Sequence, residues 1–177
     1  DGIILRFEAG YYAGLDYADS LKGTTTTHHT AMTNDWVDTT KGYEAAKTLV
    51  GTYPNIDIMI QCAYISGYGT ITACDEMQLR CIGVDNWQGY LSPYVFWSAV
   101  KSMDLAVVGS ATRIKNGEDI GRALEFNLID GGSAYYEPDL ANLKEGLADE
   151  VVKLKDDILA GNVDIFANGY EEWRVTD

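Results

Sequence analysis

The chain has 177 residues, of which 46% are hydrophobic and 23% are charged, the proportions of a globular domain that buries a sizeable core. No segment approaches the roughly 20 consecutive apolar residues that a membrane-spanning helix needs. Thirteen basic against 27 acidic residues give a net charge of -14, which argues against nucleic acids and anionic membrane surfaces as partners.

The first third of the chain predicts a helix, a strand and a second helix. Apolar residues at mixed helical spacing over Leu5–Leu21, followed by Lys22 and Gly23, predict the first helix. The β-branched, polar run Thr24–Thr33 predicts a strand. Asp35 then predicts the cap of a helix over Trp36–Tyr53.

The middle of the chain alternates strands with a helix. The apolar run Ile56–Tyr64 predicts a buried strand, and the glycine-bearing turn Ser66–Gly69 leads into a helix that ends near Met77. Further strands are predicted at Arg80–Val84 and Val95–Val100. This spacing is typical of βαβ units, so we expect an α/β fold with a parallel sheet and helices on both faces.

The C-terminal part of the chain predicts two helices and three short strands. An apolar stripe over Leu140–Leu159 predicts the last helix, and Gly161 ends it. The other predicted elements are a helix at Met103–Lys115, strands at Ala123–Ile129 and Ala134–Glu137 on either side of a turn at Asp130–Ser133, and a terminal strand at Val163–Ala167.

Two predicted loops follow strands, at the position where open α/β sheets bind ligands. In the first, Ser66 and Gly67 would let a ligand approach the backbone and a helix N-terminus, although a tight turn without a ligand explains the same residues equally well. In the second, Asp85 and Trp87 lie among two amides and could bind and stack on a polyol or a base. We favour a ligand site there over a turn that Asp85 merely caps.

Neither a metal site, a cofactor site nor a catalytic motif is predicted. His28 and His29 are adjacent and would face opposite sides of a strand, and the three cysteines form no CxxC pair. Cys74 and Cys81 could form a disulfide in an oxidising compartment, or all the cysteines could be buried apolar residues. No nucleophile elbow, GxGxxG or Walker loop occurs, so we expect no enzyme.

Five segments together resemble the basic membrane lipoprotein family, bacterial substrate-binding proteins similar to the purine nucleoside receptors of ABC transporters. They are Arg6–Tyr11, Gln61–Gly69, Cys81–Asp85, Val100–Lys101 and Asp130–Gly132. The resemblance runs over most of the chain. Its most specific parts are the Phe-Glu-Ala-Gly segment at residues 7–10 and the Ile-Gly-Val-Asp strand end at residues 82–85.

The resemblance implies a type I periplasmic-binding fold, in which two α/β lobes close on a ligand. The chain is too short for both lobes, so we expect an incomplete two-lobe fold, either a fragment or a reduced receptor. Residues 1–101 would form the second, ligand-binding lobe. Residues 102–177 would form the return crossing and the C-terminal segment.

The resemblance also implies roles for individual residues. Phe7 resembles an aromatic residue that stacks on the base, Asp85 resembles the carboxylate that holds the ribose hydroxyls, and Lys101 resembles the lysine that works beside it. Ser66 and Gly67 match the loop that lines the pocket. The sequence departs from the family pattern at residues 86–88, where a second acidic residue is usual.

The expected function is therefore the solute-binding component of an ABC importer, with reversible binding of a small polar ligand such as a purine nucleoside. Its partners would be the ligand and a membrane permease, and a fragment would also associate with itself. We expect an extracytoplasmic location, in the periplasm or as a cell-surface lipoprotein whose anchor lies outside the chain. A ligand-sensing regulator or an α/β enzyme on the same fold are the alternatives.

Overall fold

The computed structural model describes residues 2–121, 124, 126–167 and 169–173. The chain divides into two compact units: unit 1 contains Asp1–Ala31 and Asp149–Asp177, and unit 2 contains Met32–Ala148. Unit 1 is thus built from two segments that are distant in sequence, and unit 2 is continuous. The predicted boundary between residues 101 and 102 concerns the lobes of a complete receptor, and it stays a prediction.

Helices and a mixed sheet form the α/β fold that the sequence predicts. The helices are α1 (Gly2–Lys22), α2 (Thr39–Thr52), α3 (Ser66–Met77), α4 (Met103–Lys115) and α5 (Leu147–Leu159), with 3-10 turns at Glu137–Asn142 and Glu171–Trp173. The strands are β1 (Ile58–Ile60), β2 (Arg80–Asp85), β3 (Val95–Lys101) and β4 (Ser133–Tyr135), in the sheet order β1-β2-β3-β4. β1, β2 and β3 are parallel, and β4 is antiparallel to β3.

Unit 2 has its core between the sheet and the pair α2 and α3. The buried apolar side chains there belong to Ala46, Met59, Ile71, Ala73, Cys74, Cys81 and Val95. The three cysteines of the chain are free thiols, and Cys74 and Cys81 are fully buried in this core. They pack as small apolar side chains.

The two helices of this core touch through glycines. A Cβ atom on Gly42 of α2 would lie 1.9 Å from Ser66 O, and one on Gly69 of α3 would lie 1.7 Å from Thr39 O. Only hydrogen fits at these two positions, because the backbones themselves are in contact. This contact fixes where the N-terminus of α3 lies against α2.

Unit 1 contains α1 and most of α5. An ion pair joins Lys22 Nζ at the end of α1 to Glu150 Oε2 in α5 at 2.9 Å, and the Tyr170 hydroxyl donates to Asp16 Oδ2 at 2.7 Å. The ring of Tyr12 in α1 stacks on the ring of His28, with a centroid distance of 3.8 Å. Contacts distant in sequence therefore hold unit 1 together.

Three predicted strands are wrong, because local side-chain hydrogen bonds occupy the backbone. In the Thr24–Thr33 segment the Asp19 carboxylate accepts from Thr26 N and the Thr24 hydroxyl, and the segment has no regular secondary structure. The Val163–Ala167 segment is a turn in which Asp164 accepts from the N–H of residue 166.

The third wrong strand is Ala123–Ile129. Ala123 and Glu125 lie outside the described residues, and the others form irregular chain and a turn. In that turn the Asn127 side chain accepts from Ile129 N at 2.8 Å and the Asn127 carbonyl accepts from Gly132 N at 2.8 Å. An asparagine that bonds its own backbone in this way competes with pairing in a sheet.

Two helix starts also differ from prediction. α2 begins at Thr39, because Asp38 is the cap that accepts from Thr40 N, whereas Asp35 accepts from the N–H groups of residues 37 and 38 and shapes the preceding turn. The last helix begins at Leu147, because the chain adopts a positive φ of 82° at Gly146 after the 3-10 turn. The predicted helix Met103–Lys115 is confirmed at both ends.

α4 has no buried residue, and several of its apolar side chains are exposed. They are Met103, Leu105, Val107, Val108 and Ile114. Such a face suits a contact with protein surface. Self-association through it stays a prediction.

Candidate functional site

The candidate site lies at the carboxyl ends of β2 and β3. In the parallel register Asp85 pairs with Val100, so Asp85 and Lys101 reach the same edge of the sheet. Lys101 Nζ lies 2.8 Å from Asp85 Oδ1, with side-chain exposures of 46% and 37%. The structure therefore brings together two of the residues that the sequence analysis selected, and both remain within reach of a ligand.

Asp85 occupies a strained backbone conformation at this edge. Its φ is +71°, and Asn86 N donates to Val84 O at 2.9 Å across it, which closes a three-residue turn. A non-glycine residue in this region costs about 1–3 kcal/mol, a strain that concentrates at functional sites. The turn ends β2 and directs the carboxylate toward Lys101.

Two buried amides support the site from below, and the sequence analysis did not identify them as a pair. Gln61 Nε2 donates to Gln88 Oε1 at 2.8 Å, and the same oxygen accepts from Val84 N at 3.0 Å. β1 ends at Ile60, which pairs with Ile82, so β1 has no residue opposite Val84. The Gln88 side chain accepts from the Val84 N–H in its place. Part of the signal for the pair was present, since Gln61 lies in the predicted strand Ile56–Tyr64 and Gln88 follows the predicted strand Arg80–Val84.

Tyr68 is close enough to Tyr64, Tyr90 and Asp85 to feel their charges. Tyr64 and Tyr90 are 60% and 61% exposed, and Tyr64 has a φ of +54°. Burial, the nearby Tyr90 phenol and the charge of Asp85 raise the pKa of Tyr68. Aromatic faces and hydroxyl groups are therefore available beside the carboxylate, for stacking and for hydrogen bonds.

Ser66 and Gly67 lie in the first turn of α3, where the sequence analysis placed a loop. The Ser66 hydroxyl is fully buried and donates to Asp35 O at 2.8 Å. A Cβ on Gly67 would meet the Gln61 side chain at 1.8 Å. Both residues thus anchor the start of α3 against the floor of the site, and ligand contact by them stays a prediction.

Trp87 and Phe7 are the two other aromatic residues that the sequence analysis selected. The Trp87 ring packs on Tyr136 at a centroid distance of 5.2 Å and lines a cleft of about 440 Å³ that includes neither Asp85 nor Lys101. Phe7 is a half-buried residue of α1 in unit 1. A role for either residue in binding a nucleoside stays a prediction.

The described ranges hold neither a metal-binding cluster nor a membrane-spanning helix. Within residues 2–121, 124, 126–167 and 169–173, no group of three or more His, Cys, Asp or Glu side chains is arranged to hold a metal ion. Nor does any helix in those ranges combine the length and apolar character that crossing a bilayer requires.

The sequence also matches a protein family. The model of the PnrA-like ABC transporter substrate-binding proteins matches residues 2–165. The chain belongs to this family. The PnrA-like family consists of ABC transporter substrate-binding proteins. No curated protein sequence matches the chain.

Solved structures agree with the PnrA-like assignment at the level of the fold. An ABC transporter solute-binding protein from Aeropyrum pernix K1 superposes with a TM-score of 0.73 at 20% identity, over 89% of this chain and 52% of that protein. A transcriptional activator of the comK gene from Bacillus halodurans superposes with a TM-score of 0.58 at 20% identity, over 72% of this chain and 43% of that protein. The chain therefore spans about half the length of these proteins.

Proposed function

We propose that this chain is the ligand-binding part of an extracytoplasmic receptor for an ABC importer, and that it reversibly binds a purine nucleoside at the Asp85–Lys101 edge. The observation that carries the proposal is the 2.8 Å ion pair between these side chains at the carboxyl ends of adjacent parallel strands. Membership of the PnrA-like family supports a solute as the ligand.

The chemistry of the edge suits a ligand with neighbouring hydroxyl groups. A carboxylate offers two oxygens, so Asp85 can accept from two hydroxyls of a ribose while Lys101 donates to a third oxygen. Stacking area for the base comes from the exposed Tyr64 and Tyr90 rings, and Phe7 is proposed to add to it. Aromatic side chains suit this task because few rotors are frozen on binding.

Binding without chemistry fits the rest of the proposal. Residues 1–101 and 102–177 are proposed to contribute to a two-lobe receptor that closes on its ligand and presents the closed form to a membrane permease. The proposed location is outside the cytoplasmic membrane, in the periplasm or on the cell surface as a lipoprotein.

The test is titration calorimetry of the 177-residue chain with adenosine, guanosine, inosine and ribose. We expect nucleoside binding that Asp85→Asn weakens roughly 10- to 100-fold, because a hydrogen bond to a charged group contributes about 1.5–3 kcal/mol. Asp57→Asn is the matched control, since Asp57 is an exposed carboxylate immediately before β1, at the opposite edge of the sheet. Equal affinities in the two variants, or no binding of any of these compounds, would contradict the proposal.

A further inference from the structure

The cleft that Trp87 lines lies in unit 2, beside β3 and the 3-10 turn Glu137–Asn142. Its volume is about 440 Å³, and the residues that line it include Trp87, Phe96, Asp139 and Asn142. Clefts of roughly 300–1,000 Å³ accommodate small organic molecules. The walls are partly aromatic, and the polar groups come from one carboxylate and one amide.

Asp139 is the unusual member of this cleft. The residue is only 4% exposed, yet its Oδ2 atom has no hydrogen-bond partner within the described part of the chain. Burial raises the pKa of Asp139, while hydrogen bonds from Ser98 and Trp87 to the carboxyl group oppose that rise. Because a buried carboxyl oxygen without a hydrogen-bond partner is destabilising, the site is incomplete as it stands.

The backbone at Asp139 is tied to β3 through Tyr136. Asp139 N donates to Tyr136 O at 2.9 Å, and Tyr136 N donates to Ser98 O at 3.2 Å. Ser98 is fully buried, and its Oγ accepts from Gln88 N at 3.2 Å. These bonds hold the start of the 3-10 turn, which carries the unpartnered oxygen, against β3.

The other groups of the cleft define what would complete it. Asn142 Nδ2 donates to Phe96 O at 3.0 Å, which leaves the Asn142 side-chain oxygen as a further acceptor. No lysine or arginine is among the residues that line the cleft. A ligand must therefore donate hydrogen bonds, and the Trp87 ring favours a ligand that carries a positive charge.

We propose that this cleft binds a small organic cation through N–H groups, as a primary ammonium or a guanidinium, with Asp139 Oδ2 as its main acceptor and Trp87 as its aromatic wall. The net charge of -14 adds a long-range attraction for such a ligand. This site is separate from the proposed nucleoside site, since the cleft includes neither Asp85 nor Lys101.

The test uses agmatine and putrescine as probes, with tetramethylammonium as a cation that has no N–H group. In the wild-type chain we expect both amines to shift the Trp87 indole N–H resonance in a nitrogen-proton correlation spectrum, with Trp87→Phe assigning that resonance. Tetramethylammonium is expected to bind at least about tenfold more weakly, because it cannot satisfy the carboxylate oxygen. An unmoved indole resonance, or equal binding of tetramethylammonium, would overturn the proposal.

Asp139→Asn supplies the second arm of the experiment. It keeps the side-chain shape but removes the charge, and we expect amine affinity by calorimetry to fall roughly 10- to 100-fold. Asp57→Asn is the control and should bind the amines as the wild type does. Undiminished binding by Asp139→Asn, or loss of amine binding in Asp85→Asn, would place the amine elsewhere and overturn the assignment.

Discussion

The contact between α2 and α3 gives the sharpest test of the packing. In Gly42→Ala the new methyl carbon would lie 1.9 Å from Ser66 O and 2.8 Å from Ser66 C, both backbone atoms. Ordinary contacts of this kind are near 3.5 Å. The overlap cannot be relieved by a rotamer change, so the two helices must move apart.

The expected magnitude follows from two opposing effects. Overpacking of a tight contact costs about 3 kcal/mol at the upper end of the usual range. Replacing glycine by alanine within a helix returns about 1 kcal/mol. The net loss of about 2 kcal/mol corresponds to a fall of roughly 4–8 °C in the melting temperature of a chain of this size.

Gly51 provides a control in the same helix. Nothing lies within 4 Å of the position of its Cβ, so Gly51→Ala should gain only the helix propensity, up to about 1 kcal/mol. Thermal unfolding followed by circular dichroism measures both variants. If Gly42→Ala melted at or above the temperature of Gly51→Ala, the close contact between α2 and α3 would be refuted.

Three further predictions concern other parts of the chain. Gln88→Leu should lower the free energy of unfolding in urea by about 1–3 kcal/mol, because it leaves the Val84 N–H without its acceptor, and an unchanged midpoint would count against the buried amide pair. Hydrogen bonds from the Lys41 side chain and two backbone N–H groups hold the pKa of Asp35 well below its usual range. Asp35→Asn should therefore be less stable than the wild type above the ordinary carboxyl pKa. The difference in melting temperature between the two should vanish as the pH falls through the lowered pKa of Asp35. A difference that persists in acid would be inconsistent with this account. In the folded chain a thiol reagent should modify the half-buried Cys62 first and the two fully buried thiols only on unfolding, and rapid modification of all three would show that the core is open.

The sequence predicts the elements of unit 2 best where apolar periodicity and a clear stop coincide. The helix Met103–Lys115 is confirmed at both ends, because Asn116 and Gly117 follow it. The strand Arg80–Val84 is confirmed because a short apolar run ends at Asp85, which is the last residue of β2. The failures share one cause. At Thr24–Thr33 the residue types suit a strand, but strand formation needs a partner and a surface to pack on, which composition does not reveal.

The charged residues of the candidate site could be predicted from the sequence, whereas the packing beneath them was harder to predict. Asp85 and Lys101 each directly follow a predicted strand, so the parallel arrangement of the two strands brings them to one edge. The role of the glycines at the start of α3 was harder to infer. Gly67 and Gly69 predict an open loop by composition, whereas their missing side chains are needed for contacts with Gln61 and with α2.

The composition of unit 1 from two distant segments has a consequence for the order in which the chain folds. All of residues 32–148 can leave the ribosome and collapse around the sheet before Glu150 or Tyr170 is available to meet Lys22 or Asp16. Joining the two ends then closes a long stretch of chain, and the entropic penalty is smaller if unit 2 is already compact. Synthesis from the N-terminus thus favours folding of unit 2 first, and α1 can complete unit 1 only after α5 has been made.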